Sequence, residues 1–274
     1  MSVVFQIKGR LGNAIFRYLA CSLFCLKYKL KYKTISSYNS VFTDSNFIDW
    51  IKLDKHNKKN NINPNSNYLF NGYYQHDFIY RKYKKDILDY INKNKDHYVL
   101  TDGVNAGDRN YQKFYLKDIV NTPTNFNKYY DTVLHIRLED RVNIFKYIDN
   151  KKVMTTLTIE PIKKVINKVN FTNNSCIVMK KPKSNFEKEF LSELIHYIKE
   201  KKNIDINIES NDILTDFHIM KNAETLVCSV STISWCAALL SDKIKKCWMP
   251  DYPSEINSNG HCKKPIENTE IYEF

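Results

Sequence analysis

Several short motifs that mark common enzyme classes are missing from this sequence. It contains no D-x-D, no P-loop, no G-x-S-x-G and no H-E-x-x-H. In other proteins, D-x-D holds a metal-bound nucleotide diphosphate and the P-loop binds phosphates. G-x-S-x-G carries a serine nucleophile, and H-E-x-x-H binds zinc. If this chain handles a nucleotide diphosphate, arginine and backbone amides must therefore neutralise it in place of a metal ion.

Long hydrophobic runs are missing as well. No apolar stretch approaches the roughly 20 residues that a membrane-spanning helix needs. The apolar residues 3–5 are too few for the core of a signal peptide and lead directly into a polar loop. We therefore expect a cytoplasmic protein with neither a signal peptide nor a membrane anchor.

Glycine is scarce, and the cysteines form no recognisable framework. The 6 glycines include no G-x-G-x-x-G, so the usual dinucleotide-binding fingerprint is excluded. The 7 cysteines are odd in number and include no C-x-x-C pair. Cys21 and Cys25 lie four apart in a predicted helix, and Cys228 and Cys236 flank an apolar segment. This placement favours reduced, buried thiols over a disulfide framework or a zinc site.

The charge is strongly positive, with 42 Lys and Arg against 30 Asp and Glu, a formal net charge of +12. Such an excess raises the alternative of nucleic-acid binding. The lysines are nevertheless scattered, and the aromatic residues fall mostly at apolar-periodic positions rather than among clustered lysines. We interpret the charge as a solvated basic surface, which would also suit a cleft for a phosphate-bearing small molecule.

The second half of the chain alternates strands and helices in a regular way. The pattern predicts strands over 132–137, 176–179, 204–208, 225–229 and 246–249, and helices over 159–169, 186–199, 213–221 and 231–240. Such alternation is typical of a Rossmann-like parallel sheet covered on both faces. These sheets bind ligands at the carboxyl ends of their strands.

The first half opens in the same way and then becomes irregular. A strand over 3–7, a glycine turn and a helix over 11–28 are followed by a predicted strand over 68–74 and a helix over 81–92. A polar stretch over 121–128 suits a linker. The sequence therefore predicts an α/β protein with a division after residue 128. Its pattern permits, without establishing, one Rossmann-like domain over 1–128 and a second over 129–274.

Three motifs lie where these strands turn into helices or loops. Segment 9–13 (GRLGN) joins a strand to a helix, where glycines let backbone amides approach a ligand. Segment 135–140 (HIRLED) ends the first strand of the second half, where the guanidinium of Arg137 suits a diphosphate. The alternative to ligand binding is a tight structural turn for segment 9–13. For segment 135–140 it is a surface ion pair at the end of a strand.

The third motif is segment 229–235 (SVSTISW), at the start of an apolar helix. One of its hydroxyls should cap that helix. The others could then join the helix amides in holding a phosphate, and we take Ser231, Thr232 and Ser234 as the candidates.

Five segments in this order resemble the motifs of glycosyltransferase family 11, the α-1,2-fucosyltransferases. Segment 9–18 resembles the family's G-G-L-G-N-Q-x-F-Q-Y opening, and segment 72–75 (GYYQ) its G-Y-W-Q. Segment 135–140 is similar to H-x-R-R-G-D, segment 216–220 (DFHIM) to D-L-x-L-M, and segment 231–238 (STISWCAA) to S-S-F-S-W-W-x-A.

The resemblance implies a GT-B fold, in which two Rossmann-like domains with parallel sheets face a cleft. It implies an inverting enzyme that uses GDP-fucose, needs neither a metal nor a cofactor, and acts on a glycan acceptor. The carried-over donor site comprises Gly9, Gly12, His135, Arg137, Ser231, Thr232 and Ser234, with Arg137 on the diphosphate. Asn13 carries over as a catalytic residue, and the acceptor side comprises Tyr73, Gln75 and Asp77.

The chain departs from the family pattern at several of these positions. Leu138 stands where the family has its second arginine, Glu139 where it has glycine, and Val230 where it has asparagine. Another nucleotide-linked 6-deoxyhexose, such as rhamnose, is therefore an alternative donor, and a catalytically idle carbohydrate-binding relative is a second alternative. For the catalytic base, Asp140 is our first candidate and Asp77 the second.

Overall fold

The computed structural model describes residues 2–5, 9–32, 40–42, 66–72, 74–102, 111–138, 145–148, 151–154, 158–251 and 263–273. The chain divides into two compact units, Met1–Pro123 and Thr124–Phe274. The sequence placed this division after residue 128. In the structure, Lys128 bonds Glu209 at 2.7 Å and the ring of Phe126 lies against His218, so residues 124–131 pack on the second unit.

The first unit contains a four-stranded parallel sheet. Its strands are β1 (Ser2–Phe5), β2 (Lys31–Tyr32), β3 (Ser40–Phe42) and β4 (Tyr68–Phe70), in the order β2-β1-β4-β3. The unit also contains α1 (Leu11–Tyr28), α2 (Asp77–Lys82), α3 (Lys84–Lys93), the antiparallel pair β5 (Tyr98–Thr101) and β6 (Gln112–Tyr115), and α4 (Leu116–Val120).

Helix α1 is the core of the first unit. Between Leu11 and Cys25 every residue except Asn13 is buried, because the sequence is apolar around the whole helix. The helix ends at Lys29, whose left-handed conformation (φ 54°) lets its N–H reach the carbonyl of Cys25.

The second unit contains a six-stranded parallel sheet. In chain order its strands are β7 (Thr132–Ile136), β10 (Ser175–Met179), β11 (Asn207–Glu209), β12 (Thr225–Val227), β13 (Lys246–Asp251) and β14 (Thr269–Glu273). The helices are α5 (Ile159–Lys168), α6 (Asn185–Lys202), α7 (Ile213–Lys221) and α8 (Thr232–Leu240), and β8 (Phe145–Ile148) pairs with β9 (Lys151–Met154).

The strand order of this sheet is β11-β10-β7-β12-β13-β14. Strands β7, β10 and β11 therefore follow one another toward one edge of the sheet, and β12, β13 and β14 follow one another toward the other edge. This is the Rossmann order, and its point of reversal lies between β7 and β12. The predicted α/β fold with a Rossmann-like parallel sheet is thereby confirmed for the second unit.

Several predicted elements have different limits in the structure. The strand expected over 68–74 ends at Phe70, and Tyr74 has a left-handed backbone (φ 53°) that an extended strand cannot contain. The helix expected over 81–92 is two helices, α2 and α3, separated at Tyr83. The pairs β5–β6 and β8–β9 and the edge strand β14 were not predicted, because short strands mixed with charged residues carry little hydrophobic periodicity.

The six cysteines within the described ranges are all buried and free, namely Cys21, Cys25, Cys176, Cys228, Cys236 and Cys247. This confirms the prediction of reduced, buried thiols for these positions. Among the helices of those ranges, none combines the length and apolar character that crossing a bilayer would need.

Candidate functional site

The second and third sequence motifs come together at the reversal point of the second unit's sheet. Leu134 of β7 pairs with Val227 of β12, so the segments that leave these strands are neighbours. His135 and Arg137 lie at the end of β7, and Ser229 follows β12. Ligands of open α/β sheets bind outside the carboxyl ends of the strands at such a point.

His135 and Ser229 form a buried polar pair across this point. Ser229 Oγ lies 3.1 Å from His135 Nδ1, the serine is fully buried and the histidine is 7% exposed. Burial, with the positive charge of Arg137 as a second cause, lowers the pKa of His135 to about 3. The imidazole is therefore neutral at physiological pH, and it contributes hydrogen bonding rather than charge to any ligand here.

Helix α8 begins at the same point, and its first hydroxyl is not used as a cap. Ser231 occupies the N-cap position, yet its side chain makes no capping bond, whereas α6 and α7 are capped by Ser184 and Asp212. Ser231 is 7% exposed, and its Oγ has no hydrogen-bond partner within the described residues.

This geometry corrects the expectation that one hydroxyl of the third motif caps the helix. Ser234 is fully buried, and its Oγ donates to the carbonyl of Ser231 at 3.1 Å, so it serves the backbone of the helix. Thr232 is half-buried. The unused hydroxyl of Ser231 thus stands at the positive end of α8, where an anionic oxygen would satisfy it.

Arg137 follows β7 directly and is half-buried. Its positive charge contributes to the lowered pKa of His135, which lies two residues earlier in the chain. Leu138, at the position of the family's second arginine, is 2% exposed and belongs to the hydrophobic core together with Leu134 and Ile136. Leu138 therefore contributes to packing and offers no polar group to a ligand. Asp140 lies outside the described residues.

In the first unit, Gly9 makes a turn in a backbone conformation that residues with a side chain rarely adopt. Its φ of +81° lies in the left-handed region, and a Cβ at this position would come within 2.9 Å of Asn13 Nδ2. The Gly9 N–H donates to Oδ2 of Asp102 and the Gly9 carbonyl accepts from the N–H of Asp102. Gly12 is buried in the first turn of α1.

Asn13 and Gln75 come together because β1 and β4 are neighbours. Gln75 Nε2 lies 3.4 Å from Asn13 Oδ1, a long hydrogen bond. The loop that carries Gln75 is held from both sides: Arg17 Nε donates to the carbonyl of Gly72 at 2.9 Å, and Tyr80 donates to that of Tyr74 at 2.6 Å.

The structure says less about the other two acceptor-side candidates, Tyr73 and Asp77. Tyr73 lies outside the described residues. Asp77 is the first residue of α2, and its Oδ1 accepts the N–H of Phe78, the next residue. Asp102, which the structure brings to the glycine turn, was missed in the sequence because it follows a strand that the hydrophobic pattern did not reveal.

We expect Asn13→Ala to lower activity about fivefold, because one hydrogen bond to a ligand contributes on the order of 1 kcal/mol. Asn13 is the third residue of α1 and Arg10 is the N-cap, so the competing role as an N-cap does not apply. Turnover and the thermal midpoint of unfolding should be measured for Asn13→Ala and for the control Asn121→Ala, which changes an exposed asparagine of the same unit. A lower midpoint with an unchanged rate per folded molecule would contradict the assignment.

Within the described ranges, no group of three His, Cys, Asp or Glu side chains is placed to hold a metal ion. The chain matches no protein-family model, no curated protein and no solved structure.

Proposed function

We propose that this chain is an inverting, metal-independent glycosyltransferase of the GT-B type that takes its sugar from a nucleotide donor. The donor is GDP-fucose, and the acceptor is a hydroxyl group of a glycan, which receives the sugar in α-1,2 linkage. The identity of the sugar and the linkage rest on the five-motif resemblance. The binding of a diphosphate is supported independently, by the geometry of the second unit.

The observation that carries this proposal is the buried hydroxyl of Ser231 at the start of α8, which has no hydrogen-bond partner among the described residues. Buried polar groups are almost always hydrogen-bonded, so an unpaired one at the positive end of a helix points to an anionic ligand. Arg137 adds a fixed positive charge at the end of the neighbouring strand. A diphosphate supplies oxygens for both groups.

The chemistry follows from this arrangement. In glycosyl transfer the bond between the anomeric carbon and the diphosphate breaks, and negative charge accumulates on the departing phosphate. Arg137 and the amides of α8 stabilise that charge, a role that a metal ion has in transferases with a D-x-D motif. His135, held neutral beside Ser229, adds a hydrogen bond without a change of charge.

Calorimetric titration with GDP, UDP and dTDP in excess EDTA tests this proposal. We expect GDP to bind about tenfold to a hundredfold more tightly than UDP, since a buried polar group left unpaired by the wrong base costs on the order of 1–3 kcal/mol. Incubation with GDP-fucose and a glycan acceptor should then yield GDP, and hydrolysis without an acceptor provides a second readout.

The other results separate the alternatives. Tighter binding of dTDP or UDP would indicate a donor that carries another 6-deoxy sugar, such as rhamnose. The transferase mechanism would still hold. Binding without any turnover would identify a carbohydrate-binding relative that has lost catalysis. Activity that is lost in EDTA and returns with manganese would contradict metal independence.

A further inference from the structure

The junction between β12 and α8, residues 228–231, is held by hydrogen bonds at both of its ends. The Cys228 N–H donates to a carbonyl of β13 at 2.8 Å, and the Cys228 carbonyl accepts the hydroxyl of Tyr272 at 2.6 Å. At the other end, the Ser231 N–H donates to the carbonyl of Ser229 at 2.8 Å. The backbone of this short junction therefore has a defined shape.

The bond from Tyr272 comes from the edge of the sheet. Tyr272 lies on the edge strand β14, and β13 lies between β14 and β12, so the tyrosine ring reaches across one strand to the Cys228 carbonyl. The residue is 5% exposed and belongs to the hydrophobic core of the second unit. Burial, with Cys228 and Cys247 as further causes, raises the pKa of Tyr272 well above its ordinary value. The hydroxyl therefore stays protonated and acts as a hydrogen-bond donor.

Helix α8 is fixed separately from the junction. Its residues 233–240 are all buried, so packing holds the helix and the backbone amides at its start. The hydroxyl of Ser231, by contrast, has no hydrogen-bond partner among the described residues. Its direction depends on the backbone of the junction, because the backbone angles of a residue determine which side-chain conformations it can adopt.

Loss of the tyrosine hydroxyl would remove this donor from the Cys228 carbonyl. A buried carbonyl without a partner is costly, so the junction would shift toward another donor or admit water. Such a shift moves the Ser231 hydroxyl relative to the start of α8, since the helix is held by its own packing. Binding groups that are not preorganised lose affinity, because the ligand must then order them.

We propose that Tyr272 is a positioning residue of the donor site, which holds the β12–α8 junction so that the Ser231 hydroxyl meets an oxygen of the diphosphate. All of these groups belong to the second unit, and their role at the donor site rests on the proposed function. Tyr272 is buried and its hydroxyl is bonded to Cys228, so it acts on the nucleotide through Ser231.

A double-mutant cycle tests this role, with GDP affinity measured by calorimetric titration in excess EDTA. We expect Ser231→Ala to weaken GDP binding about tenfold, since it removes a hydrogen bond to a charged group, and Tyr272→Phe to weaken it about fivefold. Because Tyr272 acts through Ser231, the double variant should bind GDP about tenfold more weakly than wild type, as Ser231→Ala alone does. Independent effects would multiply to about fiftyfold.

Tyr197→Phe is the matched control, because it also removes one tyrosine hydroxyl from the second unit. Tyr197 donates to Asn167 Oδ1 at 3.0 Å in an exposed bond between α6 and α5, and its loss should leave GDP affinity unchanged. Affinities are compared at a temperature at which every variant is folded. A purely structural role of Tyr272 would lower the thermal midpoint of Tyr272→Phe and leave its GDP affinity unchanged.

The outcomes separate this inference from the proposed function. Unchanged GDP affinity in Tyr272→Phe, an additive loss of about fiftyfold in the double variant, or failure of Tyr272→Phe to fold would each overturn the positioning role and leave the proposed function intact. Unchanged affinity in Ser231→Ala would overturn it as well, because Tyr272 would have no group to act through. No binding of GDP by wild type would overturn the proposed function and this inference together.

Discussion

Replacement of Arg137 by alanine is expected to lower turnover by roughly a hundredfold to a thousandfold, the effect of losing one preorganised group that stabilises developing negative charge. Arg137 lies at the end of β7, beside the reversal point of the sheet, and under the proposed function the departing diphosphate needs such a charge there. The affinity for GDP should fall as well, because the product carries the same phosphates. Steady-state kinetics and calorimetric titration measure the two effects.

Two further variants, Arg137→Lys and the control Lys164→Ala, test whether the effect is specific to the guanidinium. Arg137→Lys should recover little of the activity, because an ammonium group cannot grip two phosphate oxygens as a guanidinium does. Lys164→Ala removes a cation that is 67% exposed and paired with Glu273 on the surface of the same unit, and it should have no effect on turnover. A folded Arg137→Ala enzyme with a nearly normal rate would show that the arginine is only a surface ion-pair residue.

The second large effect is expected in the stability of the protein at acid pH. His135 has a pKa of about 3 in the folded chain and an ordinary value of 6.5 when exposed. Between these values the unfolded chain binds one more proton than the folded chain. The free energy of unfolding should therefore decrease as the pH falls below 6.5, and this contribution ends near pH 3. By pH 4 the loss from His135 amounts to roughly 3 kcal/mol.

His135→Asn isolates this contribution, because an asparagine amide can take the place of Nδ1 beside Ser229 and does not titrate. Denaturant unfolding at several pH values between 7 and 4 should show a smaller pH dependence in this variant than in wild type. Trp235 and Trp248, both buried in the second unit, report the transition by fluorescence. The control His196→Asn changes a histidine whose side chain is 75% exposed, and it should retain the wild-type slope. Equal slopes in His135→Asn and wild type would refute the assignment.

The regular elements of the second unit could be predicted from the sequence. Helix α7 has the limits that were expected, and β7, β10, β12 and β13 lie within two residues of their predicted ends. These elements are long or strongly apolar, so their hydrophobic period is visible in the local sequence. The position of Arg137 at the end of a parallel strand followed from the same pattern.

The pairing of distant residues was decided by the tertiary structure alone. His135 and Ser229 are 94 positions apart, and they meet because β7 and β12 are neighbours in a strand order that no local pattern encodes. Asp102 reaches Gly9 across 93 positions because β5, which belongs to a separate two-stranded sheet, packs against α1. The unused hydroxyl of Ser231 also emerged only in the structure, since the sequence predicted a cap at that helix start. Local sequence thus determined which segments are strands and helices. Tertiary packing determined which polar groups meet, because strand order and the packing of β5 on α1 depend on contacts between residues far apart in the chain.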